Sequence, residues 1–188
     1  MTEVLVVEWK INKVQNVQVD RFEIIQEDVT LPNRTDMHFS YVNFSNGVCI
    51  LPITDDGRVI CIRQYRHAVK EWQWELPAGA IDHDDKDPLS AAKRELEEET
   101  GFQAANWIDL GSVFPSPGST SEQIFLFAAT NLIQKEQKLE ATEQIDLHAI
   151  EMTELNQLIN SGQFKHGAGL AAVLRYMIKK EHETKSKK

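Results

Sequence analysis

The sequence predicts an α/β (α+β) protein: a mixed β-sheet sandwiched between helices, preceded by an N-terminal β segment. Three observations carry this. β-rich runs fill the chain up to Leu76, a helical pattern begins abruptly at Asp87, and β-rich runs return from Trp107 before two helical patterns close the chain. At 188 residues and 41% hydrophobic, the chain suits a single folded core.

The elements follow in order. Val17–Val29 alternates loosely and reads as strands, and Leu31-Pro32-Asn33 as a turn. Val48–Ile53 and Val59–Arg63 flank Asp55-Asp56-Gly57, which predicts a hairpin. Trp72–Leu76 is a strand ended by a turn at Pro77-Ala78-Gly79. Asp87 then caps a helix with Pro88 at its first position, Ala91, Ala92, Leu96 and Thr100 facing the core, and Gly101 closing it. Strands follow at Trp107–Val113, Ile124–Thr130 and through Ile145, Leu147 and Ala149. A helix capped by Thr153 runs to about Asn160, and Ala168–Lys179 forms the last helix.

Composition narrows the function. With 20 Lys+Arg against 29 Asp+Glu, the net charge of −9 repels nucleic acid and anionic membranes. No apolar run approaches membrane-spanning length, and Met1–Lys10 does not read as a signal peptide, so a cytoplasmic protein is expected. Cys49 and Cys61 sit in apolar runs and read as core residues. The six histidines have no zinc-ligand spacing.

The informative segment is Arg94-Glu95-Leu96-Glu97-Glu98-Glu99-Thr100-Gly101. On a helix, Glu95, Glu98 and Glu99 share one face and Glu97 points away. Like charges at that spacing cost about 0.2–0.5 kcal/mol per pair, and the helix dipole adds to the penalty near the C-terminus. A hard divalent cation relieves both. Arg94 is placed to pair with Glu98 at i+4.

Gly79–Phe102 resembles the Nudix box, G-x5-E-x7-R-E-U-x-E-E-x-G-U, where U is bulky and apolar. The second half matches throughout. The first half is one residue longer, and its Glu is replaced by Asp85 counting forward or Lys86 counting back, which places a loop insertion in 82–87. Arg63-Gln64-Tyr65-Arg66, Trp74-Glu75-Leu76-Pro77-Ala78-Gly79, Ser116-Pro117-Gly118 and Glu122 resemble the ADP-ribose pyrophosphatase branch. Pro117 stands sixteen positions past Gly101, as the branch's proline does.

The resemblance implies Mg²⁺, with Mn²⁺ as a substitute, held by Glu95, Glu98, Glu99 and the Ala78 carbonyl. It implies catalytic roles for Glu98, Glu99 and a loop acid, Glu143 or Glu140, with Glu143 preferred because it directly precedes the strand at Ile145. Arg63, Arg66, Glu75, Pro117 and Glu122 would contact substrate. The implied reaction is hydrolysis of ADP-ribose to AMP and ribose 5-phosphate. Another nucleotide sugar, such as GDP-mannose or ADP-glucose, and a non-catalytic nucleotide sensor remain alternatives. The expected organisation is a β-rich segment at 1–45 serving a homodimer, a Nudix domain at 46–180, and a charged tail at 181–188.

Overall fold

In the computed structural model, which describes residues 8–139 and 143–185, the N-terminal β-rich run is a three-stranded antiparallel sheet. Strands β1 (Lys10–Val19), β2 (Phe22–Thr30) and β3 (Asp36–Asn43) pair in sequence order. Asp20, at φ 53°, makes the first turn, so the strands expected over Val17–Val29 are the two arms of a hairpin. The Leu31–Asn33 turn is present, closed by the Arg34 amide on the Leu31 carbonyl at 2.8 Å. Ser116–Glu122 belongs to this unit and lies along β3, with the Val42 amide donating to Ser119 at 2.9 Å. Pro117 and Glu122 are therefore part of the first unit.

The second unit comprises 46–115 and 123–188. It holds β4 (Gly47–Pro52), β5 (Val59–Arg66), β6 (Glu71–Glu75), β7 (Ala78–Ala80), α1 (Pro88–Thr100), β8 (Phe102–Val113), β9 (Ile124–Gln134), β10 (Ile145–Ile150), α2 (Met152–Asn160) and α3 (Gly167–Lys185). One sheet runs β7-β4-β9-β8 and is mixed, because β4 and β9 are parallel. The other runs β10-β5-β6 and is antiparallel.

The expected β4–β5 hairpin is corrected here. The turn exists, with Gly57 at φ 85°, but the strands share only an Ile53–Val59 bridge and then enter different sheets. Every residue of β4 is buried, so the strand needs cover on both faces and takes a central position in its own sheet. Val48 and Ile50 pack against Ala91, Ala92 and Leu96 of α1. Cys49 and Leu51, on the opposite face, pack with Cys61, Leu155, Phe164, Ala172 and Val173. Each fully buried Ile or Leu contributes about 1.5–3 kcal/mol. Both cysteines are unpaired core residues, and burial pushes the Cys61 thiol up to about 12.

Helix α1 begins as the sequence predicts. Asp87 accepts from the Ser90 amide at 2.7 Å, the Ser90 hydroxyl accepts from the Asp87 amide, and Gly101 closes the helix at φ 68°. Two other expectations are corrected. Helix α2 is preceded by Glu151, with Thr153 inside its first turn, because β10 ends at Ile150 and the chain reverses at once. Pro77-Ala78-Gly79 does not simply end a strand: Ala78–Ala80 is a short strand paired to β4. Among the described residues, no helix is long and apolar enough to cross a membrane.

Candidate active site

Helix α1 presents its acids as the spacing requires. Glu95 and Glu99 are 9% and 3% exposed, while Glu98 is half-buried beside them. Glu97 points away, held by Gln103 at 2.6 Å and Lys138 at 3.1 Å. The packing of Ala91, Ala92 and Leu96 on β4 fixes this rotation of the helix.

The β6–β7 connection comes up against the buried pair. The Ala78 amide donates to Glu99 Oε2 at 2.8 Å. Gly79 lies so close that a Cβ there would stand 2.2 Å from the Glu95 carboxyl group. Only a residue without a side chain leaves Glu95 its place.

Arg94 organises the rim. Its Nη1 donates to Glu95 Oε1 at 2.7 Å and to Glu98 Oε2 at 3.0 Å. Its Nη2 donates to the Ala80 carbonyl and to Asp85 Oδ2, both at 2.9 Å. The Arg94–Glu98 pair is the one the i+4 spacing predicts. Asp85 is the acid found by counting forward from Gly79, and its side chain is only 8% exposed. Lys86, the alternative position, is exposed.

The electrostatics favour a cation. Burial pushes the Glu95 carboxyl up to about 7 against the opposing pull of Arg94, and Glu98 and Glu143 add to the rise. Burial also raises Glu99 well above the usual carboxylate range, with Glu95 and Glu143 adding and the Ala78 amide opposing. Glu143, just before β10, thus acts on both buried acids. Glu140 lies outside the described residues.

Among the described residues, no three His, Cys, Asp or Glu side chains are already gathered as a metal cage. In this arrangement Glu95 and Glu98 turn to Arg94, and Glu99 to an amide. The donor set still fits a hard divalent ion: two buried carboxylates resist ionisation even with Arg94 beside Glu95, and Gly79 leaves the Glu95 carboxyl its place.

Next to the acids lies a second pair. Arg66 Nε and Nη2 donate to the two oxygens of Glu75 at 2.9 and 2.6 Å, and Glu75 is 5% exposed. Arg63 is not with them. It pairs with Trp74 across the β5–β6 ladder, on the opposite face, with its guanidinium carbon 5.8 Å from the indole centroid. Trp74 also packs edge-on to His148 at 4.7 Å. His166 was not singled out by the sequence. It is partly buried and accepts the Leu76 amide on Nδ1 at 3.2 Å. It falls in no repeating motif, so its only signal is three-dimensional.

An acidic helix set against a glycine turn is the arrangement that the sequence resemblance implies. The NUDIX domain family matches residues 43–175, and the chain belongs to that family. It is 29% identical over 161 residues to an ADP-ribose pyrophosphatase of Bacillus subtilis (strain 168), covering 85% of this chain and 86% of the relative. It is 32% identical to a methanol dehydrogenase activator of Bacillus methanolicus, covering 86% and 84%. Its fold matches the crystal structure of an ADP compounds hydrolase with a TM-score of 0.84 at 22% identity, over 94% of this chain and 96% of that one. The protein is a Nudix hydrolase.

Proposed function

We propose that this Nudix hydrolase cleaves the diphosphate of ADP-ribose to AMP and ribose 5-phosphate, using Mg²⁺ or, in its place, Mn²⁺. The observation that carries the chemistry is the buried Glu95–Glu99 pair facing Gly79. Similarity to an ADP-ribose pyrophosphatase along most of both chains supports the substrate. Glu95, Glu98, Glu99 and the Ala78 carbonyl are the residues to hold the cation. A cation held there would supply charge neutralisation at the diphosphate and a lowered pKa for water.

The chain's own residues do the rest. Glu143 takes the proton of the attacking water, with Glu98 and Glu99 beside it as the other catalytic acids. Arg66 offers forked donors to the substrate, and Glu75 holds it in place. By resemblance alone, Pro117 and Glu122 are further residues for substrate recognition, whereas Arg63 lies on the face of β5 opposite Arg66. The enzyme works in the cytoplasm, a reading supported by its two unpaired, buried cysteines. It pairs as a homodimer through its N-terminal sheet, where Trp9, Ile11, Val14 and Val19 are exposed.

The test is a substrate panel with Mg²⁺: ADP-ribose, ADP-glucose, GDP-mannose, NADH and diadenosine polyphosphates, with Glu99→Gln as control. AMP release from ADP-ribose, reduced about 10²–10⁴-fold in the variant, is expected. Faster turnover of another compound replaces the substrate. Tight ADP-ribose binding without turnover of any compound turns the reading to a sensor. Sedimentation of the intact chain reads the homodimer.

A further inference from the structure

The short linker between β6 and β7 carries Glu75 at one end and Ala78 at the other, and it is tied down at three points. The Ile50 amide donates to the Pro77 carbonyl at 2.9 Å, and the Ala78 amide donates to Glu99 at 2.8 Å. Pro77 has no amide hydrogen. That leaves the Leu76 N–H, in a residue with no exposed surface, and its partner is the imidazole of His166, ninety positions away. An unpaired N–H at such a depth is unfavourable, so the partner determines where the linker settles.

His166 is itself held rigidly. Its carbonyl accepts the Leu170 amide at 2.9 Å, which places it at the entry of α3, and α3 is anchored in the core by Ala168, Gly169, Ala172 and Val173. Phe164 packs beside the ring with centroids 6.3 Å apart. Gly169 leaves the ring its space: a Cβ there would stand 2.9 Å from Nδ1 and 2.8 Å from Phe164 Cζ. Because Nδ1 accepts, the ring is neutral with its proton on Nε2.

We infer that His166 is a positioning residue for the active site: by fixing the Leu76 amide, it transmits the placement of α3 to the Glu75–Ala78 linker, and so sets Glu75 against Arg66 and the Ala78 backbone against Glu99. The effect on turnover rests on the function proposed above. The effect on cation binding rests on the ligands proposed there, and the effect on the linker rests on neither.

The test compares His166→Leu with His166→Asn, whose Oδ1 sits at the same reach as Nδ1. Three quantities are read: hydrogen exchange of the Leu76 amide, Mn²⁺ affinity without nucleotide, and kcat and KM on ADP-ribose. His166→Leu should expose the Leu76 amide to exchange and weaken Mn²⁺ about 10–100-fold, with a similar fall in kcat. His166→Asn should restore all three. Wild-type Mn²⁺ affinity in a folded His166→Leu overturns the inference, as does an Asn variant that loses as much as Leu. Should His166→Leu fail to fold, the comparison moves to His166→Asn against His166→Gln, which carry the same amide at different reach. Equal Mn²⁺ affinities in those two overturn the inference, and a selective loss in Gln supports it. Exchange and Mn²⁺ binding need no substrate, so failure of ADP-ribose as substrate leaves this test standing.

Discussion

Asp85 and Arg94 are locked together across the approach to α1, with Nη2 2.9 Å from Oδ2 and Nε 3.4 Å from Oδ1. Asp85 also accepts the Asp82 amide at 2.9 Å, and Arg94 holds its carboxyl below its ordinary value. The same guanidinium reaches Glu95 and Glu98. In Asp85→Asn, Arg94 loses the nearer of two charges on its outer side, Asp82 remaining at 3.3 Å, and turns more fully to the two glutamates. The expected result is a stability loss on the order of 1 kcal/mol and weaker Mg²⁺ activation. Thermal unfolding and an Mg²⁺ titration check both. Unchanged Mg²⁺ activation would mean that Arg94 is held without Asp85.

Gly79→Ala probes the space beside Glu95. The backbone at Gly79 is not left-handed, so the substitution acts through contact alone. The new methyl meets the end of a flexible side chain, which swings aside at little expense to the fold. The variant should unfold within about 1 kcal/mol of wild type yet bind Mn²⁺ about tenfold or more weakly. Wild-type binding in a folded variant would mean that Glu95 is not a ligand.

Cation binding should depend on pH around neutrality. The Glu95 carboxyl is raised to about 7, so below that value it carries a proton that competes with the metal. Affinity should fall as the pH drops through about 7, and binding at or below that pH should release protons. Calorimetry in two buffers of different ionisation enthalpy measures the protons directly. A binding heat independent of buffer would count against Glu95 as ligand.

His166 makes folding sensitive to acid. Burial lowers its pKa below the ordinary 6.5, with Arg66 acting in the same direction and Glu75 opposing. The unfolded chain therefore binds this proton more readily than the folded one. The stability involved is fully present above about 6.5 and is lost as the pH falls from there through the folded-state pKa. Denaturant midpoints of wild type and His166→Asn should diverge on the acid side, with the variant losing less. Parallel curves would show that the imidazole titrates normally.

Sequence alone determined the layout of α1. The spacing of Glu95, Glu98 and Glu99, the Asp87 cap and the Gly101 stop are all local, since a helix brings residues three and four apart onto one face whatever surrounds it. The Arg94–Glu98 pair was legible for the same reason. Tertiary structure decided what distance along the chain conceals. It sent β4 and β5 into different sheets, because burial on both faces outweighs the pull of a short turn. It made Asp85 the partner of Arg94 within a lengthened loop, and it carried His166 to Leu76. Contacts of that kind depend on how elements dock, and docking is set by the sum of buried surface, which no local window of sequence contains.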